Sequence, residues 1–171
     1  HHARALATID REGCATFSAL VARDPVRGDS FRAELGLTER VKRYSSLDEL
    51  LDEGTCDAVI LATPDGVHSS QAIACLSRGL HVLVEKPLAL TTNEAEPIVA
   101  AARTSGCALV VGYHLRHHVG HELVRSRLTE LLGDPRSIHV RWAWPDPAAN
   151  GWRARGHEAR FWSVAALGTH G

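Results

Sequence analysis

Two short segments carry side chains that could move a proton beside a bound ligand. The first is the A-T-P-D-G-V-H segment that begins at Ala62, and the second is Glu85-Lys86-Pro87, about 20 residues later. Each follows an apolar run of strand length, so both are expected at the carboxyl ends of parallel strands, where open α/β sheets bind ligands. Lys86 then lies between a strand end and a proline that stiffens the turn, and its amine is suited to proton transfer. The alternative for this position is a solvated surface lysine.

The elements around these motifs alternate between strand and helix. Three apolar runs of strand length occupy residues 56–63 (CDAVILAT), 81–85 (HVLVE) and 107–112 (CALVVG), which favours a parallel sheet covered on both faces. Helices are predicted between them, over residues 67–78 and 91–106. The sequence therefore predicts a doubly wound α/β fold.

The first third of the chain follows the same alternation. The pattern predicts a helix over 3–12, a buried strand over 15–22, a short helix ending at Gly36, a strand over 41–44 and a helix that Ser46 opens. Glu49 lies three residues after Ser46, which is the spacing of a capping box.

A Rossmann domain normally begins with a central strand and a G-x-G-x-x-G turn, which hold a pyrophosphate at a helix N-terminus. This sequence has no G-x-G-x-x-G and opens on a helical pattern. We therefore expect the strand and turn to be encoded directly before His1, and a gap or unusual pairing between residues 15–22 and 56–63. The alternative is an α/β domain that never bound a dinucleotide.

The pattern changes after residue 114. A helix of about 15 residues ends at Gly133. Apolar residues then alternate with polar or small ones: Ile138, Val140, Trp142 and Trp144. A period of two predicts an antiparallel sheet with one exposed face. We predict a dinucleotide-binding domain over 1–114, lacking its first strand, and the start of an α+β substrate or oligomerisation domain over 115–171.

The order, spacing and location of A-T-P-x-x-x-H and E-K-P resemble the signature of the glucose-fructose oxidoreductase / inositol dehydrogenase (Gfo/Idh/MocA) family. The similarity extends from the HARAL helix at the start to the G-T-H near the end. It implies a Rossmann-type fold and an NAD(P)-dependent oxidoreductase, here truncated at both ends. The implied reaction moves hydride between nicotinamide and a sugar, a polyol or a related alcohol.

The resemblance also implies roles for individual residues. Lys86 would lie beside the nicotinamide and the substrate hydroxyl, Pro87 would follow a cis peptide bond, and Arg116 of a G-x-x-x-R junction would lie near the nicotinamide. His170 matches the acid/base histidine of a D-x-x-x-H motif, although Ala166 stands in place of the aspartate. The predicted catalytic residues are therefore Lys86 and His170. The predicted cofactor-binding residues are Ala22, Arg23, Thr63, Pro64, His68, Glu85, Lys86, Pro87 and Arg116.

The corner after residues 15–22 bears on the choice of cofactor. Ala22-Arg23 stands where a ribose-binding acid is expected, and an arginine can pair with a 2′-phosphate, which favours NADP over NAD. Asp24 is the opposing feature, because it could serve as the acid if the strand ran two residues longer.

Two other functions remain open from the sequence. A non-catalytic sensor or regulator could bind a dinucleotide on the same fold, and the alanine at position 166 favours it. Alternatively, the 171-residue segment could be inactive by itself because it lacks a phosphate-binding loop.

Composition argues against several kinds of partner. The formal net charge is −1, with charges of both signs along the whole chain, so there is no basic stripe for nucleic acid. No apolar run approaches the ~20 residues that cross a bilayer. We expect no signal peptide, and the four widely spaced cysteines are interpreted as reduced thiols, so we expect a cytoplasmic protein. The expected partners are a small sugar or polyol and, for the full-length protein, further copies of itself.

A group of histidines raises the question of a metal site. His114, His117, His118 and His121 lie within two helical turns, but only Glu122 adds a carboxylate to the set. We expect no metal here and assign these histidines to packing or solvent.

Overall fold

The computed structural model of the protein describes residues 1–37 and 39–134, together with 136, 137, 139 and 141. Its elements are, in chain order, α1 (His2–Arg11), β1 (Ala19–Val21), α2 (Pro25–Glu34), β2 (Lys42–Tyr44), α3 (Leu47–Glu53), β3 (Ala58–Leu61), α4 (His68–Ser77), β4 (His81–Val84), α5 (Thr92–Ser105), β5 (Leu109–Val111) and α6 (Val119–Leu132). Short 3-10 helices over Asp65–Val67 and His114–His117 precede α4 and α6. None of the helices in this part of the chain is both long and apolar enough to cross a membrane.

The strands form two parallel sheets. β1 pairs with β2, with Ala19 opposite Lys42. The second sheet has the order β3-β4-β5, in which Val84 lies opposite both Leu61 and Val111. Parallel strands joined by helices confirm the predicted Rossmann-type α/β fold.

β1 and β3 do not pair with each other. The residues of both strands line a cavity of about 420 Å³, which the first turns of α1 also border. The structure therefore confirms the gap predicted between residues 15–22 and 56–63. The expectation that an upstream strand belongs there stays a prediction.

Two groups of buried side chains hold the elements together. The larger joins β3 and β4 to α4 and α5, and Leu76, Val84 and Ile98 are fully buried within it. The smaller surrounds Phe17 and Val41 and packs against α1. Full burial of a leucine or isoleucine side chain contributes roughly 1.5–3 kcal/mol, so the larger group is the main support of the sheet edge where β3 and β4 end.

The strands are shorter and more exposed than predicted. β1 covers only Ala19–Val21 of the predicted 15–22, and Val21 is 37% exposed. β3 begins at Ala58, and its Ile60 is also 37% exposed. Within the described part of the chain, β1 is therefore less buried than predicted, and the predicted coverage of β3 on both faces is wrong. The reason is that the side chains of Val21 and Ile60 border the cavity, where no strand of the described chain shields them.

Local signals fixed several helix ends as predicted. Thr91 and Glu94 form a reciprocal capping box at the start of α5. At α3, the hydroxyl of Ser46 accepts the N–H of Glu49, but the carboxylate of Glu49 accepts from the backbone and hydroxyl of Ser45 instead. The Ser46 cap of α3 is therefore confirmed, and only the return hydrogen bond of Glu49 reaches the residue before it.

The predicted second domain is described only at its beginning. α6 ends at Gly133, as expected. The apolar residues of the predicted antiparallel strand, Ile138, Val140, Trp142 and Trp144, lie outside the described residues. The domain boundary near residue 115 stays a prediction.

Candidate functional site

The two motifs meet at one edge of the larger sheet. β3 and β4 are parallel neighbours in register, so the turns that follow them emerge side by side. The N–H of Glu85 donates to the carbonyl of Leu61 at 2.9 Å, and the N–H of Gly112 donates to the carbonyl of Val84 at 2.7 Å. The A-T-P turn, the E-K-P turn and the segment after β5 are therefore adjacent, as the sequence predicted.

His68 joins the first two of these turns. Its imidazole is fully buried, with Nδ1 2.8 Å from the carbonyl oxygen of Pro87 and Nε2 2.9 Å from that of Thr63. A carbonyl oxygen only accepts hydrogen bonds, so the ring nitrogen that carries hydrogen donates to the carbonyl beside it, and the tautomer decides which one. His68 was predicted to bind cofactor, and the structure places its ring between two backbone segments that carry the motifs.

The E-K-P turn has the predicted backbone geometry. The Lys86-Pro87 peptide bond is cis. Pro87 is buried and Lys86 is half-buried directly after β4. The lysine thus leaves the sheet at its carboxyl edge, in the position expected of a group that faces a ligand.

Glu85 connects the E-K-P turn with the start of α1. Its Oε1 lies 2.6 Å from Nε2 of His2, and its Oε2 accepts the N–H of Lys86 at 3.0 Å. Burial raises the pKa of this carboxyl, but the hydrogen bonds from His2 and Lys86, together with their charges, outweigh burial, and the net pKa is lowered. Glu85 is therefore ionised at neutral pH.

The A-T-P turn borders the cavity. Thr63 donates its hydroxyl hydrogen to Oε1 of Gln71 at 2.6 Å. Both residues line the cavity together with His1 and His2. Because His2 reaches Glu85 and Thr63 follows β3, this polar part of the lining lies at the carboxyl edge of the strands. Pro64 is half-buried in the same turn.

The N-terminus of α1 is directed to the same edge, since its first residue contacts Glu85. The first turn carries no acidic side chain, and His1 makes no side-chain cap hydrogen bond. The backbone N–H groups of a helix start, with the positive end of the helix dipole, favour an anion at such a position.

The corner after β1 contains Ala22 and Arg23. Ala22 is half-buried and donates its N–H to the carbonyl of Tyr44, which prolongs the pairing with β2. Arg23 is exposed and makes no side-chain hydrogen bond or ion pair within the described residues. Asp24 is the N-cap of α2, where its carboxylate accepts the N–H of Arg27 at 3.1 Å. The carboxylate that could have served as a ribose-binding acid thus caps a helix.

Sequence reasoning missed several residues that shape this region. Gly28 is buried where a Cβ would lie 2.8 Å from Cβ of Ala22, so only glycine lets α2 approach β1 this closely. A glycine inside a helical pattern was the available signal. Asp65, which is 5% exposed, and the contacts of His2 and Gln71 had no local signal.

The segment after β5 carries the remaining candidates. Arg116 lies exposed in the 3-10 helix that follows Tyr113. His118 caps α6 by accepting the N–H of Gly120, and Nδ1 of His121 lies 3.1 Å from the carbonyl of Leu115. Across the described residues, no group of three or more side chains is arranged to hold a metal ion.

His170, the second predicted catalytic residue, lies outside the described residues, as does Ala166. The structure therefore brings together Thr63, Pro64, His68, Glu85, Lys86 and Pro87, and places Ala22 with Arg23 at the neighbouring sheet.

Several known proteins are similar to this chain in sequence or structure. A 1,5-anhydro-D-fructose reductase of Ensifer adhaerens is 34% identical over 82% of this chain and 42% of its own length. The crystal structure of KijD10, a 3-ketoreductase from Actinomadura kijaniata in complex with NADP and TDP-benzene, is 30% identical, with a TM-score of 0.66 over 74% of this chain and 38% of that one. The WlbA dehydrogenase from Bordetella pertussis, in complex with NADH and UDP-GlcNAcA, is 28% identical, with a TM-score of 0.66 over 75% of this chain and 36% of that one.

This chain spans less than half the length of each of these relatives. The sequence profile of the GFO_IDH_MocA family, described as an oxidoreductase family with an NAD-binding Rossmann fold, matches residues 1–113. That match covers the parallel sheets, both motifs and the cis peptide bond, and so the chain belongs to the Gfo/Idh/MocA family of oxidoreductases.

Proposed function

We propose that the whole protein transfers hydride between a nicotinamide cofactor, NADP or NAD, and the carbinol carbon of a sugar, a polyol or a related alcohol. The observation that carries this proposal is the convergence of the A-T-P and E-K-P turns, joined by His68, on the edge that the start of α1 also reaches. The relatives support it, since they are a sugar reductase and two enzymes whose structures hold NADP or NADH.

The residues present fit a dinucleotide. We assign the pyrophosphate to the start of α1, where no acidic side chain opposes an anion. The adenosine end is assigned to Ala22 and Arg23, because Gly28 keeps α2 close to that corner. Thr63 and Pro64 would line the path between the two ends, and Arg116 would flank the nicotinamide.

The proton of the reaction is handled by the protein. The bound cofactor supplies the carbon that accepts or gives the hydride. When an alcohol is oxidised, its carbinol C–H bond gives up the hydride and its hydroxyl must release a proton to a base. We assign that proton to the amine of Lys86, with His170 as the second acid/base group. His68 holds the turn that carries Lys86 and acts through backbone geometry.

Replacement of Lys86 tests this assignment in the full-length protein. Lys86→Met keeps the side-chain length and removes the amine, so kcat should fall by roughly 10²-fold or more while cofactor affinity changes little. Lys42→Met is the matched control, because Lys42 is an exposed residue of β2 that forms an ion pair with Glu53 of α3. Turnover is followed by reduced-nicotinamide absorbance over a panel of sugars and polyols. Near-normal turnover by Lys86→Met would refute the catalytic role.

A dinucleotide-binding sensor is the second candidate function, and the alanine at position 166 favours it. The same panel separates the two functions. A sensor would bind the cofactor with ordinary affinity and turn over none of the alcohols, and Lys86→Met would then leave binding unchanged.

We further propose a preference for NADP. Asp24 is engaged in capping α2, while Arg23 is exposed and could pair with a 2′-phosphate. Arg23→Ala should weaken NADP binding by about tenfold and leave NAD binding nearly constant, as expected for loss of one charge-assisted pair. Arg103→Ala removes the same charge from the last turn of α5 and serves as the control. Equal or better binding of NAD by the unmodified protein would overturn the preference.

We also propose that the full-length protein is a homo-oligomer that works in the cytoplasm, where its cysteines, free in the described chain, would stay reduced. Light scattering on the purified protein tests the first statement, and thiol titration of freshly lysed cells tests the second.

A further inference from the structure

One side-chain contact connects the start of α1 with the E-K-P turn. Nε2 of His2 lies 2.6 Å from Oε1 of Glu85, although the two residues are 83 positions apart in sequence. Both side chains are about one-third exposed, at 32% and 29%, so this contact is partly shielded from water. It joins the helix start that faces the anion site to the turn that carries Lys86.

The other oxygen of Glu85 determines what the contact can do. Oε2 accepts the backbone N–H of Lys86 at 3.0 Å, so the carboxylate bridges His2 and the main chain of the lysine. Gly112 leaves room for this arrangement, because a Cβ there would lie 3.3 Å from Cδ and 3.4 Å from Oε2 of Glu85. The carboxylate is therefore held by one contact on each oxygen, and its orientation sets the position of the Lys86 backbone N–H.

From this geometry we propose that His2 is a positioning residue, which acts through Glu85 to hold the backbone of Lys86 in register with the start of α1. The inference rests on the proposed function, since it concerns the placement of the lysine assigned to proton transfer. If α1 binds the pyrophosphate, the bridge sets the distance between the phosphate end of the cofactor and that lysine. A small displacement of a reacting group can cost about 10²-fold in rate, so such a bridge matters for kcat.

The atom that makes the contact offers a discriminating set of variants. A glutamine amide nitrogen reaches about as far as Nε2 of histidine, whereas an asparagine amide reaches about as far as Nδ1. His2→Gln should therefore preserve the bridge, while His2→Asn and His2→Ala should break it. Thr8→Ala is the matched control, because Thr8 is exposed on the same helix and its hydroxyl contacts only Arg4 and Arg11 of α1.

The kinetic test uses the full-length protein. His2→Ala and His2→Asn should lower kcat by about 10- to 100-fold with cofactor affinity within roughly threefold of normal, whereas His2→Gln should recover most of the rate. Thr8→Ala should remain within about twofold. Normal kcat in His2→Ala, or a rate in His2→Gln as low as in His2→Asn, would overturn the proposal.

A second measurement reads the bridge without turnover. Hydrogen exchange of the Lys86 backbone amide, followed by NMR, should accelerate by about tenfold in His2→Ala and return to normal in His2→Gln, the scale of one hydrogen bond to a charged group. If the unmodified protein binds cofactor but oxidises no alcohol, the proposed function fails, while the exchange rates still decide whether the bridge exists. Unchanged exchange in His2→Ala would overturn the bridge even in an active enzyme.

Discussion

Replacement of His68 is the most direct test of how the site is held together. The imidazole is fully buried and contacts the carbonyl oxygens of Thr63 and Pro87 at 2.9 and 2.8 Å. His68→Phe retains an aromatic ring of similar size, so it leaves no large cavity and removes only the two ring nitrogens. The change therefore isolates the polar contacts that connect the two motif turns.

The expected destabilisation follows from the carbonyl group that loses its donor, since an imidazole with one N–H donates to one of the two carbonyls. A buried polar group left unsatisfied costs about 1–3 kcal/mol, which is the loss expected for His68→Phe. Domains of this kind are stable by only about 5–15 kcal/mol, so the loss is a substantial share of the total. His68→Gln keeps an amide donor and should lose less.

Urea unfolding followed by circular dichroism measures these differences in the full-length protein. Ser70→Ala is the control, because Ser70 is exposed on the same helix and its hydroxyl contacts only the nearby carbonyl of Val67. It should change the free energy of unfolding by less than about 0.5 kcal/mol. The reasoning is refuted if His68→Phe is as stable as Ser70→Ala, or if His68→Gln is less stable than His68→Phe.

Three further outcomes are expected. The pKa of Glu85 is lowered in the folded protein, so its ionised carboxylate adds stability above the ordinary glutamate pKa of 4.5, and this stability is lost as pH falls through the lower folded pKa. Glu85→Gln should therefore flatten the acid limb of the curve of unfolding free energy against pH. A curve that runs parallel to that of the unmodified protein would contradict this. Burial, with the nearby charge of Cys56 as a lesser cause, raises the pKa of Cys75 to about 11. At pH 8 this thiol should resist alkylation until the protein unfolds, while exposed Cys14 reacts at once. The free energy of unfolding should decline above about pH 9, where the Cys75 thiol ionises in the unfolded chain but not in the folded one. If a strand upstream of His1 pairs with β1 and β3, the amides of residues 19–21 and 58–61 should be strongly protected from hydrogen exchange in the full-length protein. Rapid exchange on either strand would show that no upstream strand pairs there.

Some features of the fold could be predicted because they depend on local sequence. The capping box formed by Thr91 and Glu94 marks the start of α5. Gly106 marks its end, because the C-cap position requires a positive φ, here 69°. The convergence of the two motifs could also be predicted, since neighbouring parallel strands in register release their following turns at one edge.

Other features depend on contacts between distant elements and could not be predicted. The contact of His2 with Glu85 requires the path of α1 relative to β4, which no periodicity encodes. The exposure of Ile60 depends on which elements pack beside β3 in the folded protein. An apolar run in the sequence indicates only which residues are suited to burial. The role of Asp24 was undecided from sequence, because the same carboxylate could bind a ribose or cap α2.

The polar residues of this edge explain why an otherwise apolar core contains a histidine. A leucine at position 68 would fill the space, but it would offer no donor to the carbonyl groups of Thr63 and Pro87, and buried polar groups are costly when unpaired. A histidine contacts both carbonyls only when the two turns lie on either side of its ring, so it selects one relative position of A-T-P and E-K-P. Glu85 imposes the same condition on α1 and the backbone of Lys86. Apolar packing tolerates small shifts, whereas these directional contacts do not, and a site for hydride and proton transfer requires that restriction.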